Sequence, residues 1–366
     1  MKDPLYKRIE LWFRRMLIKM LGTIVHRRKS TALPSKAENG KYLFIRQDRI
    51  GDVLVSTPLF RLLKLRFPNA TIDVLLSKNN EFVLANNPHI RKRWIYTKKV
   101  GDTLRLIHAL RKEHYDYAID LIDNPSATST IACLLSGART TIGLDKENSY
   151  AYDISVPLPS RKETHIVERL AQLLTPFGIS PGPDELIIEY FPSNDSRNFA
   201  NQFLGNAKLK DKKLIGINIS AGGNVRFWGV ENFKKLIRYL ENNYPAYQNL
   251  LLYNSDYSEK ALEIGAHFSS VTLSPITHTF DQFAALIEKV ELLITPDTSA
   301  VHLAAAFSIP SVVLYVQSNP NLRIWEPYRT PCEPVVTNVD DLTTITVEEV
   351  IKAVDHLFKR TSKLIS

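Results

Sequence analysis

From Lys41 onward, short apolar runs of strand type alternate with stretches whose apolar residues recur at helical spacing. The first half predicts a strand at 41–46, a loop QDRIGD and a helix reaching about Arg66. Pro58 fits the first turn of that helix behind a Ser56 or Thr57 cap, or else the helix begins at Gly51 and bends at the proline. Strands TIDVLL, 93–96, 117–121 and 140–144 follow, with helices at 103–113 and 129–136, and a helix at 163–177 closes the half. Pro181–Pro183 and Pro192-Ser193-Asn194 mark a boundary. The second half repeats the alternation, with strands at 213–219, 249–253, 271–273, 292–294 and 311–315 and helices at 231–241, 258–267 and 281–289. An Ala-rich helix ends at Phe307, and a terminal helix covers 347–360. Strand–helix–strand repetition means parallel sheets joined by right-handed crossovers, hence an α/β chain with two Rossmann-like halves. The expected divisions are 1–40, 41–192 and 193–366.

The first of these is different in kind. Its apolar positions Leu5, Ile9, Trp12, Phe13, Met16, Leu17, Met20, Leu21 and Ile24 form one helical stripe, with Lys7, Arg8, Arg14, Arg15 and Lys19 opposite or at its flanks. A secretory signal would need an uncharged apolar centre and a small-residue cleavage site, which this stretch lacks. Such a helix either packs on the protein's own core or lies on an anionic membrane surface through residues 5–28, and its aromatic face and basic flanks favour the membrane.

Charge sharpens that reading. The chain of 366 residues carries a formal +9, and residues 1–30 hold nine Lys/Arg against only Asp3 and Glu10. A nucleic-acid binder would spread such charge over a folded face, so no nucleic-acid partner is expected. Two cysteines make neither a disulfide framework nor a zinc cluster, in keeping with a reducing compartment. No run is long and apolar enough to cross a bilayer.

Candidate chemistry gathers at turns that follow predicted strands. In LLITPDTSAVHLAAAF, Asp297, Thr298 and Ser299 open a helix, where orphan N–H groups and the helix dipole favour a phosphate. Helix capping is the plainer alternative for the three, and a satisfied buried histidine for His302. Ser220, Gly222 and Gly223 make a small flexible turn, and Arg226 beyond them supplies a cation suited to a diphosphate or to solvent. Neither the Walker pattern nor the G-x-G-x-x-G dinucleotide fingerprint is present. Asp52, just past Gly51, either does chemistry at the strand's carboxyl end or is an N-cap or a salt-bridge partner of Arg46 or Arg49. With no D-x-D pair to clamp a divalent metal, charge on a departing diphosphate would fall to Arg226 and helix amino termini.

Three blocks, RQDRIGDVLVSTPLFRLLKLRFPNATIDVLL, ISAGGNVRFWGVENFKKLI and LLITPDTSAVHLAAAFSIPSVVLY, resemble in order and spacing the heptosyltransferase family, glycosyltransferase family 9. The likeness spans roughly residues 41–318 and leaves the amino-terminal helix outside. It implies two facing Rossmann-like domains (the GT-B fold) and inverting, metal-independent sugar transfer from ADP-heptose to a lipopolysaccharide core acceptor, with no cofactor. By position, Asp52 resembles the base that takes the acceptor proton. Arg226 stands where the family commonly has a diphosphate-binding Lys. Asp297, Thr298 and His302 match the donor motif, with Ser299 where many members have Gly, and Glu259 resembles a donor-ribose contact. Acceptor binding is implied in the first domain, where Lys98, Lys99 and Arg139 are candidates for acidic sugars or phosphates, or else solvated surface. The expected partners are a nucleotide-sugar, a lipid-linked oligosaccharide and the inner face of the cytoplasmic membrane. Two other readings stay open: another nucleotide-sugar used on a different surface glycan, and a non-catalytic membrane-docked scaffold.

Overall fold

The structure, a computed structural model, describes residues 37–317 and 324–365 together with Met16 and Met20. Apart from those two methionines, the amphipathic helix expected over 5–28 lies outside the described residues. The chain divides into two compact units, one running to Ser160 and including Ile166–Ile187, the other comprising Arg161–His165 and the chain from Ile188.

The first unit contains β1 (Lys41–Arg46), α1 (Ile50–Leu54), α2 (Thr57–Arg66), β2 (Thr71–Ser77), β3 (Lys92–Tyr96) and α3 (Val100–Lys112). It continues with β4 (Tyr117–Asp120), α4 (Ala127–Leu135), β5 (Thr140–Leu144), β6 (Ile154–Val156) and α5 (Ile166–Ala171), which tightens into a 3₁₀ turn over Gln172–Phe177. Its six strands lie in the order β3-β2-β1-β4-β5-β6, all parallel. Both faces of β1 are covered, so Tyr42, Leu43, Phe44 and Ile45 are all fully buried and the strand reads as a continuous apolar run. Pro58 does sit in the first turn of α2, but Gly51 belongs to a separate short helix, α1, so the helix expected over this stretch is two. The helix expected over 163–177 starts later and ends in 3₁₀ geometry, where Pro176 removes a backbone donor.

The second unit opens with α6 (Asn194–Asn206), which the sequence pattern did not predict. Then come β7 (Lys213–Asn218), α7 (Val230–Asn243), β8 (Tyr247–Leu252), α8 (Ser258–Gly265), β9 (Val271–Leu273) and α9 (Phe280–Ile287). The unit finishes with β10 (Leu292–Pro296), α10 (Ser299–Ala306), β11 (Ser311–Val316), β12 (Cys332–Thr337) and α11 (Val347–Ile365). Its parallel order, β12-β11-β10-β7-β8-β9, is the same winding as in the first unit. In each sheet the chain reverses direction of travel once, between β1 and β4 and between β7 and β10. Loops leaving the two adjacent strands there diverge to opposite faces and open a crevice at their carboxyl ends, the usual ligand position in such sheets.

Candidate functional site

In the second unit the candidate donor residues converge at the β7/β10 crevice. Arg226 leaves the loop after β7 and Asp297 the loop after β10, and Arg226 Nη1 lies 4.0 Å from Asp297 Oδ2 with both side chains about two-fifths exposed. Beneath them Asn218 Nδ2 donates to Thr295 Oγ1 at 2.9 Å, joining the two strand ends. The loop carrying Arg226 is anchored from below. Trp228 is fully buried and its indole N–H donates to Ile345 O at 2.8 Å. Gly223, at φ +141°, makes the turn before Arg226 in a conformation that other residues rarely adopt, with open space where a Cβ would stand.

Other atoms in this turn are already engaged. The Ser220 amide donates to Asn218 Oδ1 at 3.1 Å, and the Ser220 hydroxyl accepts from the Asn254 amide at 2.8 Å. The turn is therefore tied to the loop after β8, as is Ala221, whose carbonyl accepts from Tyr257 OH at 3.2 Å. Lys260 Nζ sits 4.2 Å from the Phe227 ring centre and 4.9 Å from that of Tyr257, tying the residue after Arg226 to the start of α8. This brings the first turn of α8, with exposed Glu259, beside the Ser220–Arg226 loop.

Thr298 caps α10 through its hydroxyl, which accepts from the Ala300 amide at 3.3 Å, and Ser299 begins the helix. The capping alternative is thus realised for Thr298 alone of the three, and the first-turn N–H groups of α10 lie at the strand's carboxyl end. His302 is buried, but it is not a satisfied core histidine: its Nδ1 is enclosed without a hydrogen-bond partner. Burial alone pushes its pKa down to about 4, so the ring is neutral near pH 7. Its ring stands 6.3 Å from that of Trp325, over which the Arg161 guanidinium lies at 5.8 Å.

In the first unit, Asp52 stands at the β1/β4 crevice. Arg46, fully buried, donates from Nη2 to Asp52 Oδ1 at 3.2 Å, from Nε to Asp52 O at 2.9 Å, and from Nη1 to Leu121 O beyond β4. The Arg49 amide donates to Asp52 Oδ2 at 3.1 Å. Of the plainer roles weighed for Asp52, the ion pair with Arg46 is present, but the N-cap of α1 is Arg49, and Asp52, three residues further on, accepts from the cap residue's amide. Each oxygen accepts one such bond and retains a lone pair, and 12% of the side chain remains exposed.

The same guanidinium meets a second acid that the sequence reading passed over. Asp48 Oδ1 lies 3.3 Å from Arg46 Nε and is enclosed without a hydrogen bond. Burial, opposed by Arg46 and reinforced by the charges of Asp52 and Asp120, pushes the Asp48 pKa up to about 6. The backbone carbonyls of Arg46 and Asp48 both accept from Asn80 Nδ2, which fixes this loop to the end of β2. The signal for Asp48 was its place in QDRIGD, bracketing one arginine together with Asp52. At the end of β4, Asp120 pairs with buried Lys146 at 3.0 Å, a contact between residues 26 apart that no local pattern shows.

The comparisons with known proteins agree with this geometry. Residues 103–342 match the family model for glycosyltransferase family 9 (heptosyltransferase), well over half of the chain. The chain belongs to glycosyltransferase family 9. Among curated relatives, lipopolysaccharide heptosyltransferase 3 of Escherichia coli K12 is 26% identical over 278 residues, covering 72% of this chain and 79% of that protein. Among solved structures, a family 9 glycosyltransferase from Veillonella parvula aligns with a TM-score of 0.75 at 20% identity, covering 90% of this chain and all of that one. E. coli heptosyltransferase WaaC, solved with ADP-2-deoxy-2-fluoro heptose, aligns at 0.69 and 16% identity over 86% of this chain and 99% of that one. These likenesses give a family 9 enzyme of the GT-B fold class.

Within that family frame the remaining candidates separate. Lys98 and Lys99 are exposed where β3 gives way to α3, at strand carboxyl ends like Asp52. Arg139 immediately precedes β5 and lies 3.6 Å from Asp116, which precedes β4. Because the sheet is parallel, Arg139 stands at its amino edge, opposite the end that carries Asp52. Among the described residues no cluster of His, Cys, Asp and Glu could hold a metal ion, and no helix is long and apolar enough to cross a membrane.

Proposed function

We propose that this family 9 enzyme transfers heptose from ADP-heptose to a lipopolysaccharide core acceptor, with inversion and without a metal. The observation that carries the reading is the approach of Arg226 to Asp297 at the start of α10, which sets a cation beside a helix amino terminus at the β7/β10 crevice. In the step, the acceptor oxygen forms a bond to the anomeric carbon and loses its proton to Asp52. The bond from that carbon to the diphosphate breaks, and its electron pair leaves with ADP. Arg226, Thr298, Ser299 and the Ser220–Gly223 turn hold the diphosphate end of the donor, with Asp297 paired to Arg226 and His302 in the same motif; Glu259 meets its ribose, and Lys98 and Lys99 the acidic acceptor. Metal independence is supported by the missing D-x-D pair and by Arg226 as the available counter-charge. The basic stripe over 5–28 keeps the enzyme at the inner face of the cytoplasmic membrane, beside its lipid-linked acceptor.

Asp52→Asn tests the reading. It is expected to retain ADP binding by calorimetry and to lose turnover by about a hundredfold or more, the usual contribution of a general base. Near-normal turnover would remove Asp52 from the role. ADP binding no tighter than that of UDP or GDP would point to another nucleotide-sugar, and absence of any donor turnover by the folded wild type would favour a scaffold. Wild-type turnover lost on treatment with EDTA and regained with a divalent ion would overturn metal independence.

A further inference from the structure

Helix α3 carries apolar residues both against α4 and at its exposed first turns. Beneath it, Leu106, Ile107 and Leu110 face Ala127, Ile131 and Ala132 of α4 across a partly open cavity of about 230 Å³. The hydroxyl-bearing residues Tyr96, Thr103 and Thr128 are the only polar members of its wall, and no charged residue lines it. Interiors are ordinarily closed to near-crystalline density, and apolar cavities of roughly 150 Å³ stay dry and take up small hydrocarbons. A sugar or nucleotide placed here would lose hydrogen bonds that the wall cannot return.

The exposed first turns of the helix, next to the cavity wall at Ile107, have a matching character. Val100 and Leu104, one turn apart, are 78% and 64% exposed. Exposed Lys98, Lys99 and Arg105 surround them, and residues 98–112 hold five Lys/Arg against one acid, Asp102. Asp102 lies 3.8 Å from Arg105, whose side chain is 86% exposed, so little of this positive charge is neutralised locally. An exposed apolar pair in a basic rim, beside an apolar cavity, complements a molecule with an anionic head and a hydrocarbon tail.

We propose that α3 and the cavity below it seat an anionic membrane lipid, with an acyl chain between α3 and α4 and the headgroup phosphate at the Lys98–Lys99–Arg105 rim. Val100 and Leu104 lie in the bilayer interface. The rim shares Lys98 and Lys99 with the acceptor side of the proposed reaction, but occupancy by a phospholipid is measured without turnover, so its failure and the failure of sugar transfer are read separately.

Hydrogen exchange followed by mass spectrometry on the full chain tests it. Vesicles of phosphatidylcholine containing one part in three phosphatidylglycerol are expected to slow exchange several-fold in 98–112 and 127–135, whereas vesicles of phosphatidylcholine alone are not. Val100→Ser with Leu104→Ser, both solvent-facing changes, should abolish most of that slowing. cis-Parinaric acid, a fluorescent fatty acid, should bind the wild type saturably and bind Ala132→Phe, which fills the cavity, at least tenfold more weakly. Protection confined to residues 1–30, equal protection by the two vesicle types, or unchanged parinaric acid binding to a folded Ala132→Phe would each overturn the proposal.

Discussion

Asp48 offers the most direct check on the electrostatics of the β1/β4 crevice. Its pKa stands at about 6 in the folded protein against an ordinary 3.8. Between those values the folded chain binds a proton that the unfolded chain has released, so stability falls as pH rises through the window and the loss is complete above about pH 6. The difference corresponds to about 3 kcal/mol. Since 27% of the side chain is exposed, solvent screening reduces this to about 2 kcal/mol. Asp48→Asn keeps the shape and removes the titration. Relative to wild type, the variant should gain about 2 kcal/mol of stability on going from pH 4 to pH 7, or roughly 4–8 °C in Tm for a unit of this size. Calorimetric unfolding of both proteins at the two pH values measures that difference, and comparing them pairwise cancels the titrating groups that do not interact with Asp48. A wild-type and variant difference that stays constant with pH would refute the assignment of Asp48 as a buried acid destabilised by its neighbours.

His302 titrates with the opposite sign. Its folded pKa of about 4 lies below the ordinary 6.5, so the unfolded chain gains the proton first and stability falls as pH drops from about 6.5 to 4, by about 3 kcal/mol. His302→Leu should flatten that acid limb in urea titrations, and an unchanged limb would count against a neutral buried ring. Arg169 and Asp123 form an ion pair at 2.7 Å with both side chains almost wholly buried. Arg169→Met strands the carboxylate and should cost about 3–5 kcal/mol, seen as a Tm lower by about 10 °C, while adding Asp123→Leu should restore much of it.

What local pattern could reveal was largely revealed. Strands covered on both faces are continuous apolar runs, and the amphipathic helices between them bury a broad stripe, so the alternation and the two Rossmann-like sheets were legible. The misses follow from weak local signals. Helix α6 buries only Ser196, Ala200 and Leu204, a stripe one residue wide on an otherwise polar segment. Strand β12 contains Pro334, which a central strand would not tolerate but an edge strand does, and β6 is three residues long.

The site divides along the same line. Asp297, Thr298 and Ser299 announced themselves because a helix start after a strand is a local event, and Asp52 because Gly-Asp follows a strand end. That Arg226 meets Asp297, that Arg46 is shared by Asp48 and Asp52, and that His302 is sealed without a partner for Nδ1 were decided by strand order and packing. These are contacts between residues brought together by crossovers, and their energies depend on burial, which no stretch of sequence carries by itself.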